Sequence, residues 1–328
     1  KEVGEQLLRE RRQHVREVQS KQDVLQDAQE RVHHAQEKYK SLLDEAQRAV
    51  RRENARANEL VGPLNRRILE NLKEFIDKMK ILFAGSPKSS AKILNSMVNA
   101  GLDIVGVISQ PDKRSKRGRG KEASSVATES LKLGIPTFKP TKLDDLFKQE
   151  ITQLNFDFLV VSAYGKILPE WMLNAPSIAP INIHFSLLPK YRGASPIQAS
   201  ILNNDCETGI SIMRMSKGMD EGPVYCSHEI KILKSDNKID LENKLVSLCV
   251  KNIENDLSNI LNNKLALKEQ NDDEASYCSK IDKLSGNTDF KKESTKEIFQ
   301  KFKAFIGWPG LYFEKNNIAI KIHGLKEY

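Results

Sequence analysis

The sequence predicts an α/β fold with a mainly parallel sheet from residue 79 onward. Short, mainly apolar runs recur at residues 80–84, 104–108, 158–161 and 181–183, and helical spacing of apolar side chains separates most of them. Strands that are apolar on both faces are typical of parallel sheets covered by helices on both sides. Such sheets bind ligands at the carboxyl ends of their strands, where we therefore expect the functional residues.

The first apolar run is followed by turn-forming residues 85–87 and then by helical spacing between Lys88 and Ala100. The pattern Gly-x-Gly-x-x-Gly, which cradles the pyrophosphate of a dinucleotide, does not follow this run. We therefore expect no dinucleotide cofactor. Gly85 and Gly165 are assigned to turns, where the missing side chain permits positive φ.

Residues 1–78 are predicted to form a helical or coiled-coil arm. Helix-favouring residues dominate, and no proline precedes Pro63. Apolar side chains recur seven residues apart in two stripes offset by three, at Leu25, Val32, Tyr39 and Ala46 and at Ala28, Ala35, Leu42 and Ala49. The arm binds a partner or oligomerises in one interpretation. In the other it is a solvated helix without a role in the chemistry.

The composition of the chain changes at Met79. Residues 1–78 contain 11 Arg and 6 Lys, whereas residues 79–328 contain 5 Arg and 30 Lys. Both side chains suit solvated surfaces, so folding does not demand this switch. We hypothesise that two unrelated coding segments are joined at this point.

Composition also limits the class of protein. No stretch approaches the roughly 18 apolar residues of a membrane span, and the sequence opens without an apolar signal region. We therefore expect a soluble, cytoplasmic protein. The cysteines, Cys206, Cys226, Cys249 and Cys278, lack the spacing of a metal knuckle, which predicts free thiols and no metal site.

Positive charge is concentrated in one segment. The net charge is +8, and residues 112–121 hold six basic side chains against one acid. The basic cluster consists of Lys113, Arg114, Lys116, Arg117, Arg119 and Lys121. Such a cluster either forms a solvated face or binds a polyanion, and charge alone leaves both interpretations open.

Two polar segments interrupt the apolar pattern. Asn182 and His184 are two apart on a predicted strand, so their amide and imidazole point to the same face. A histidine on an apolar strand often has only a structural role. The amide of Asn182 on the same face makes a catalytic role as plausible as a structural one. Asp220 lies between Gly218 and Gly222 after a strand-like run at 209–215, where an acid serves a turn or reaches the edge of the sheet.

These segments carry a resemblance to a known family. The run Asn-Ile-His-Phe-Ser-Leu-Leu-Pro at 182–189 resembles the signature of formyltransferases that depend on 10-formyltetrahydrofolate. The extension at 190–198 resembles the branch of that family that acts on methionyl-tRNA, as do the segments at 110–112, 163–169 and 305–310.

The resemblance implies a reaction and a set of site residues. The reaction is transfer of a formyl group from 10-formyltetrahydrofolate to the α-amino group of methionine on initiator tRNA, without a metal or nicotinamide. The family's catalytic residues match Asn182, His184 and Asp220. Folate is expected along the loop before Asp220 and along the turn formed by Ser186, Leu187, Leu188 and Pro189.

The resemblance also implies a domain organisation. A Rossmann-like catalytic domain is expected at 79–270, followed at 271–328 by a linker and a partial, OB-like C-terminal barrel. Residues 308–313 and 318–322 resemble the first strands of that barrel. In the methionyl-tRNA branch the basic loop enters the acceptor end of the tRNA, and Arg117 matches an arginine that matters there.

Other functions stay open at this point. A formyltransferase of the same fold could act on the amine of a sugar nucleotide or of glycinamide ribonucleotide, and a hydrolase with a similar constellation would release formate. A different class is a non-catalytic interaction module, in which the helical arm at 1–78 does the work.

Overall fold

The computed structural model describes four parts of the chain, which are Val32 and residues 36–53, 79–114 and 120–326. The chain divides into two compact units, Lys1–Asp77 and Lys78–Tyr328. Among the described residues, no helix combines the length and the apolar character needed to cross a membrane.

In the first unit, residues 36–53 are helical. Tyr39 and Leu42, which belong to the predicted stripes, are exposed on this helix. The stripe positions Leu25, Ala28 and Ala35 lie outside the described residues. The coiled coil therefore stays a prediction.

The second unit alternates strands and helices. Its strands are β1 (Lys80–Gly85), β2 (Asp103–Ile108), β3 (Lys113–Arg114), β4 (Lys121–Glu122), β5 (Thr137–Phe138), β6 (Phe158–Ser162), β7 (Ala179–His184), β8 (Arg192–Gly193), β9 (Glu207–Arg214), β10 (Val224–Lys231), β11 (Tyr277–Cys278), β12 (Leu311–Lys315) and β13 (Ile318–Ile322). Its α-helices, numbered from the start of this unit, are α1 (Lys88–Asn99), α2 (Ser125–Lys132), α3 (Asp145–Thr152), α4 (Glu170–Leu173), α5 (Pro196–Leu202), α6 (Lys238–Leu261) and α7 (Thr295–Ala304).

The described part of the unit contains a central sheet in the order β10-β9-β7-β6-β1-β2-β5. The strands from β7 to β5 are parallel, whereas β9 pairs antiparallel with β7 and β10 pairs antiparallel with β9. The predicted α/β fold with a mainly parallel sheet is therefore confirmed. The antiparallel edge was not indicated by the sequence.

The sheet is covered on both faces because alternate side chains of a strand point in opposite directions. Ile81 and Phe83 of β1 pack on one face with residues of α1 and α6. Leu82 and Ala84 of the same strand pack on the other face with Phe147 of α3. This two-sided burial explains why residues 81–84 of β1 are all apolar.

Helix α6 covers much of the first face. A capping box closes its N-terminus, because the Asn237 side chain accepts from the Asp240 backbone N–H and the Asp240 carboxylate accepts from the Asn237 backbone N–H. Its buried apolar side chains recur at helical spacing and include Leu241, Leu245, Ile253 and Leu257. The same buried set contains Cys249 and Asp256, so polar groups enter the core at this helix.

The last described strands form a hairpin. β12 pairs antiparallel with β13, at the positions where the first barrel strands were predicted. Ile318 and Ile320 of β13 are exposed. The OB-like barrel itself stays a prediction.

Gly209 of β9 lies where the antiparallel strands β9 and β10 are closely packed. A Cβ atom at this position would overlap the backbone carbonyl of His228 on β10 and the side chain of Leu187. Because a backbone oxygen cannot move aside cheaply, we expect Gly209→Ala to lower the free energy of unfolding by about 1–3 kcal/mol, the usual cost of overpacking. Urea denaturation followed by circular dichroism measures this change.

Gly120→Ala is the matched control, because a Cβ there meets nothing within 4 Å. Its free energy of unfolding should stay within about 0.5 kcal/mol of the unsubstituted protein. Equal stability of the two variants would show that the β9–β10 contact tolerates a side chain and that the packing argument is wrong.

Candidate active site

A single carboxylate connects the residues for which a catalytic role was predicted. Asn182 Nδ2 donates to Asp220 Oδ1 at 3.0 Å. The other oxygen, Oδ2, accepts from the backbone N–H of Gly193 at 2.9 Å and lies 3.6 Å from His184 Nδ1. The structure thus brings Asn182, His184 and Asp220 into one cluster, with Asn182 and His184 on β7 as the two-residue period of a strand requires.

The His184 ring is oriented by a second contact. Its Nε2 lies 2.9 Å from the backbone carbonyl oxygen of Tyr191. A carbonyl can only accept, so Nε2 carries a hydrogen and Nδ1 is the nitrogen that faces Asp220. At 3.6 Å the two groups are just beyond direct hydrogen-bond distance, and a proton placed between them would join them as an ion pair.

Asp220 reaches the site through a tight loop. Its φ is +55°, in the left-handed region that Asp tolerates better than most residues. A Cβ on Gly222 would overlap the carbonyl oxygen of Arg214, so this glycine is needed where the loop returns past the end of β9. The two glycines that signalled a turn therefore flank a residue whose side chain enters the site.

A buried arginine and a glutamine hold the loops of the site together. Arg192 is 2% exposed, and its Nε donates to Gln270 Oε1 at 3.0 Å. Gln270 Nε2 in turn donates to the backbone carbonyls of Asp220, at 2.8 Å, and Gly222, at 2.7 Å. The remaining nitrogens of Arg192 donate to Asp272 at 2.7 Å and to the Tyr277 hydroxyl at 3.3 Å, which satisfies its buried charge.

Cys278 contacts the loops of the site from β11, the strand beside β8. The strand β11 pairs in parallel with β8, and Cys278 Sγ accepts from the Ser195 N–H at 3.3 Å and donates to the Tyr191 carbonyl at 3.4 Å. Burial, together with the charge of Asp220, raises the pKa of the Cys278 thiol against the opposing effect of the Ser195 N–H. The thiol therefore stays protonated at neutral pH and shares with His184 the carbonyl that orients the imidazole.

Residues 270–278 contribute contacts to the site. Asp272, Tyr277 and Cys278 contact its loops, and the linker predicted to start at residue 271 stays a prediction. Two-residue strands and a polar sequence give no periodic signal, so local patterns could not reveal this contact.

The predicted folate residues divide into two groups. Leu187, Leu188 and Pro189 line a cavity of about 500 Å³, together with Lys190 and the carboxylates of Asp205, Glu207 and Glu274. Ser186 does not line it, because its side chain is buried and its hydroxyl donates to the Lys190 carbonyl at 2.6 Å. The serine closes the turn, and folate binding by all four residues stays a prediction.

Two buried hydroxyls have no hydrogen-bond partner within the described residues. They are the Tyr164 hydroxyl and Ser216 Oγ. Burial raises the pKa of Tyr164 to about 12, so its hydroxyl remains a donor.

The described part of the basic cluster lies on two paired strands, β3 and β4. Lys113 and Arg114 of β3 pair antiparallel with Lys121 and Glu122 of β4, and all of these residues are exposed. Just before β3, Gln110 Nε2 donates to the Tyr164 carbonyl at 2.9 Å. The other predicted tRNA-binding residues, Lys116, Arg117 and Arg119, lie outside the described residues.

Comparison with known proteins identifies the family. The sequence profile of the family described as formyl transferase matches residues 78–253. This chain belongs to the formyl transferase family. The matched segment contains the Asn182–His184–Asp220 cluster.

Curated relatives extend the similarity beyond that segment. The methionyl-tRNA formyltransferase of Sulfurihydrogenibium sp. is 39% identical over 246 residues, which cover 74% of this chain and 79% of the relative. The methionyl-tRNA formyltransferase of Mycoplasmopsis pulmonis is 38% identical over 244 residues, covering 74% and 84%.

Solved structures support the fold. The N-formyltransferase from Helicobacter canadensis, in complex with folinic acid and dTDP-3-aminofucose, superposes with a TM-score of 0.56 at 21% identity. The match covers 74% of this chain and 86% of that protein. At this identity the similarity establishes the formyltransferase fold alone.

Gln270 tests the positioning of the Asp220 loop. Gln270→Ala removes both donors to the Asp220 and Gly222 carbonyls and leaves Arg192 without one partner. Since small misplacements of reacting groups are expensive, we expect kcat for formyl transfer to fall about 10- to 100-fold, with little change in KM. Steady-state kinetics and a thermal melt measure the effect.

Gln149→Ala is the control, because Gln149 is an exposed residue of α3. It should leave kcat unchanged. A normal kcat in folded Gln270→Ala would mean that the carboxylate is positioned without this glutamine.

Proposed function

We propose that this chain transfers the formyl group of 10-formyltetrahydrofolate to the α-amino group of methionine attached to initiator tRNA. The observation that carries the proposal is the cluster in which Asn182, Asp220 and His184 converge, within a sequence similar to methionyl-tRNA formyltransferases. The reaction takes place during translation initiation, which makes the cytoplasm the expected compartment.

Asn182 is suited to stabilise the tetrahedral intermediate. When the amine attacks the formyl carbon, the carbonyl oxygen becomes an oxyanion that requires a donor. One Asn182 N–H is held by Asp220, which fixes the amide plane and leaves the second N–H to donate to the oxyanion. Removing such a donor costs about 10²- to 10³-fold in kcat.

His184 and Asp220 are suited to move the amine proton. The Nε2 hydrogen is committed to Tyr191, so Nδ1 is the basic nitrogen of the neutral ring. A proton taken up at Nδ1 is stabilised by Asp220 Oδ2, 3.6 Å away, and can then pass to the folate nitrogen that leaves. Proton-transfer groups of this kind contribute about 10²- to 10⁴-fold.

Folate is proposed to lie along the 186–189 turn and the loop before Asp220. Leu187, Leu188 and Pro189 offer an apolar surface in a cavity of about 500 Å³, which is also lined by Lys190 and by the carboxylates of Asp205, Glu207 and Glu274. The apolar part of this lining suits the ring system of folate.

The catalytic assignment is tested by Asn182→Ala, His184→Ala and Asp220→Ala. Each variant loses a group that acts in the transition state, so each should lower kcat by at least about 10²-fold. Folate affinity, measured by fluorescence titration, should change less than severalfold. His323→Ala, at an exposed site, serves as the control and should be fully active. Near-normal turnover by His184→Ala would contradict the mechanism.

Acceptor specificity is tested by offering several amines to the full chain. We expect formylation of methionyl initiator tRNA and no reaction with a dTDP-linked amino sugar or glycinamide ribonucleotide. Radiolabelled formyl transfer, with free formate measured in parallel, separates the outcomes. Transfer to the sugar would identify a sugar formyltransferase, whereas formate without an acceptor would identify a hydrolase.

The basic cluster is proposed to pair with tRNA phosphates. Replacing Arg117 and Arg119 by Ala removes two positive charges, so binding should weaken, and the slope of log K against log salt should fall by about 0.7–0.9 per lost contact. Filter binding over a range of salt concentrations measures both quantities. Lys251→Ala with Lys264→Ala removes the same charge at exposed positions on and just after α6. If both double variants lose the same tRNA affinity and the same salt slope, the cluster acts only through the net charge of the protein.

A further inference from the structure

A second group of reactive side chains lies between the edge strand β10 and helix α6. Cys226 and His228 are two apart on β10 and therefore project from the same face. Asp256 projects from α6 towards them. One ligand atom from each residue lies within 4.8 Å of the other two, and none of the three takes part in the cluster around Asp220.

Asp256 is a carboxylate buried among apolar side chains. Its side chain is 4% exposed, and it belongs to the helix face that buries Ile253, Leu257 and Ile260. A carboxylate in such surroundings requires a compensating positive charge. In the described part of the chain, its ion-pair partner is His228, whose Nε2 lies 2.8 Å away. A divalent cation bound between the three side chains would also supply that charge.

We propose that Cys226, His228 and Asp256 form a binding site for Zn²⁺. Zinc accepts this combination of sulfur, imidazole nitrogen and carboxylate oxygen in tetrahedral geometry. The His228 side chain is 25% exposed, so the ion can enter from solvent and a water molecule can take the fourth position. His228 and Asp256 must separate by about 0.5 Å to reach tetrahedral spacing, which side-chain rotation provides.

The site has a structural consequence. β10 lies at the edge of the sheet, and its contacts with α6 would gain three metal–ligand bonds. A metal that binds the folded state and not the unfolded chain raises thermal stability in proportion to the logarithm of its concentration over Kd. At about 100-fold excess over Kd, the melting temperature should rise by roughly 5–10 °C.

The direct test uses the full chain, purified without a polyhistidine tag and freed of metal with a chelator. Titration with Co²⁺ should produce a thiolate-to-cobalt charge-transfer band that saturates at one equivalent and disappears when Zn²⁺ is added. The band requires a sulfur ligand, so histidines elsewhere, such as the pair at 33–34, cannot produce it. Absence of the band in the unsubstituted protein overturns the proposal, whatever the variants do.

Variants identify the ligands. Cys226→Ser should abolish the band, and His228→Gln or Asp256→Asn should weaken Zn²⁺ binding at least 10-fold by competition with a chromophoric chelator. Cys206→Ser is the matched control, because Cys206 is exposed and close in sequence. It should keep the band and the Zn²⁺-dependent rise in melting temperature. Equal stabilisation by Zn²⁺ of the unsubstituted protein and all three ligand variants would assign the metal to another place and overturn the proposal.

Discussion

The Asp220 carboxylate is the constraint on which the rest of the site depends. Its two oxygens accept from Asn182 and from the Gly193 backbone, and one of them also faces His184. A carboxylate with these contacts fixes the plane of the amide and keeps a negative charge beside the imidazole. Moving Asp220 would therefore disturb the oxyanion donor and the proton acceptor together.

The loops that bring Asp220 to this place have little stability of their own. β9 runs antiparallel to β7 and ends opposite Ile181, so the chain must turn back to carry Asp220 to Asn182. That return is held by Gln270 and, through it, by Arg192. Gln270 lies 50 residues after Asp220 in the sequence. The position of the carboxylate therefore depends on tertiary contacts and not on the sequence of the turn alone.

Much of the sheet could be predicted from the sequence because its strands are buried on both faces. The apolar runs located β1, β2, β6 and β7, and the two-residue period put Asn182 and His184 on one face. The proximity of Asp220 came from resemblance, since 38 residues and an antiparallel strand separate it from Asn182. The hydrogen bond from the Ser186 hydroxyl to the Lys190 carbonyl could not be predicted, because it depends on how the turn folds.

Other features were beyond local patterns for physical reasons. Gln270 and Cys278 lie in a polar stretch without periodicity and contact residues far away along the chain. The group formed by Cys226, His228 and Asp256 lacks a recognisable spacing because one member comes from a helix and two come from a strand. Such groups become visible only when the elements are packed together.

The pairing of β8 with β11 has a consequence for the order in which the protein matures on the ribosome. Residues 192–193 cannot acquire their neighbours until residues 277–278 have been synthesised and have left the exit tunnel. At about 5–20 residues per second, the interval between the synthesis of Asp220 and that of Cys278 lasts roughly 3–12 s. During that time the pocket still lacks the segment that shapes it. In a nascent chain of this protein, Arg192 and Gly193 therefore reach their final contacts late.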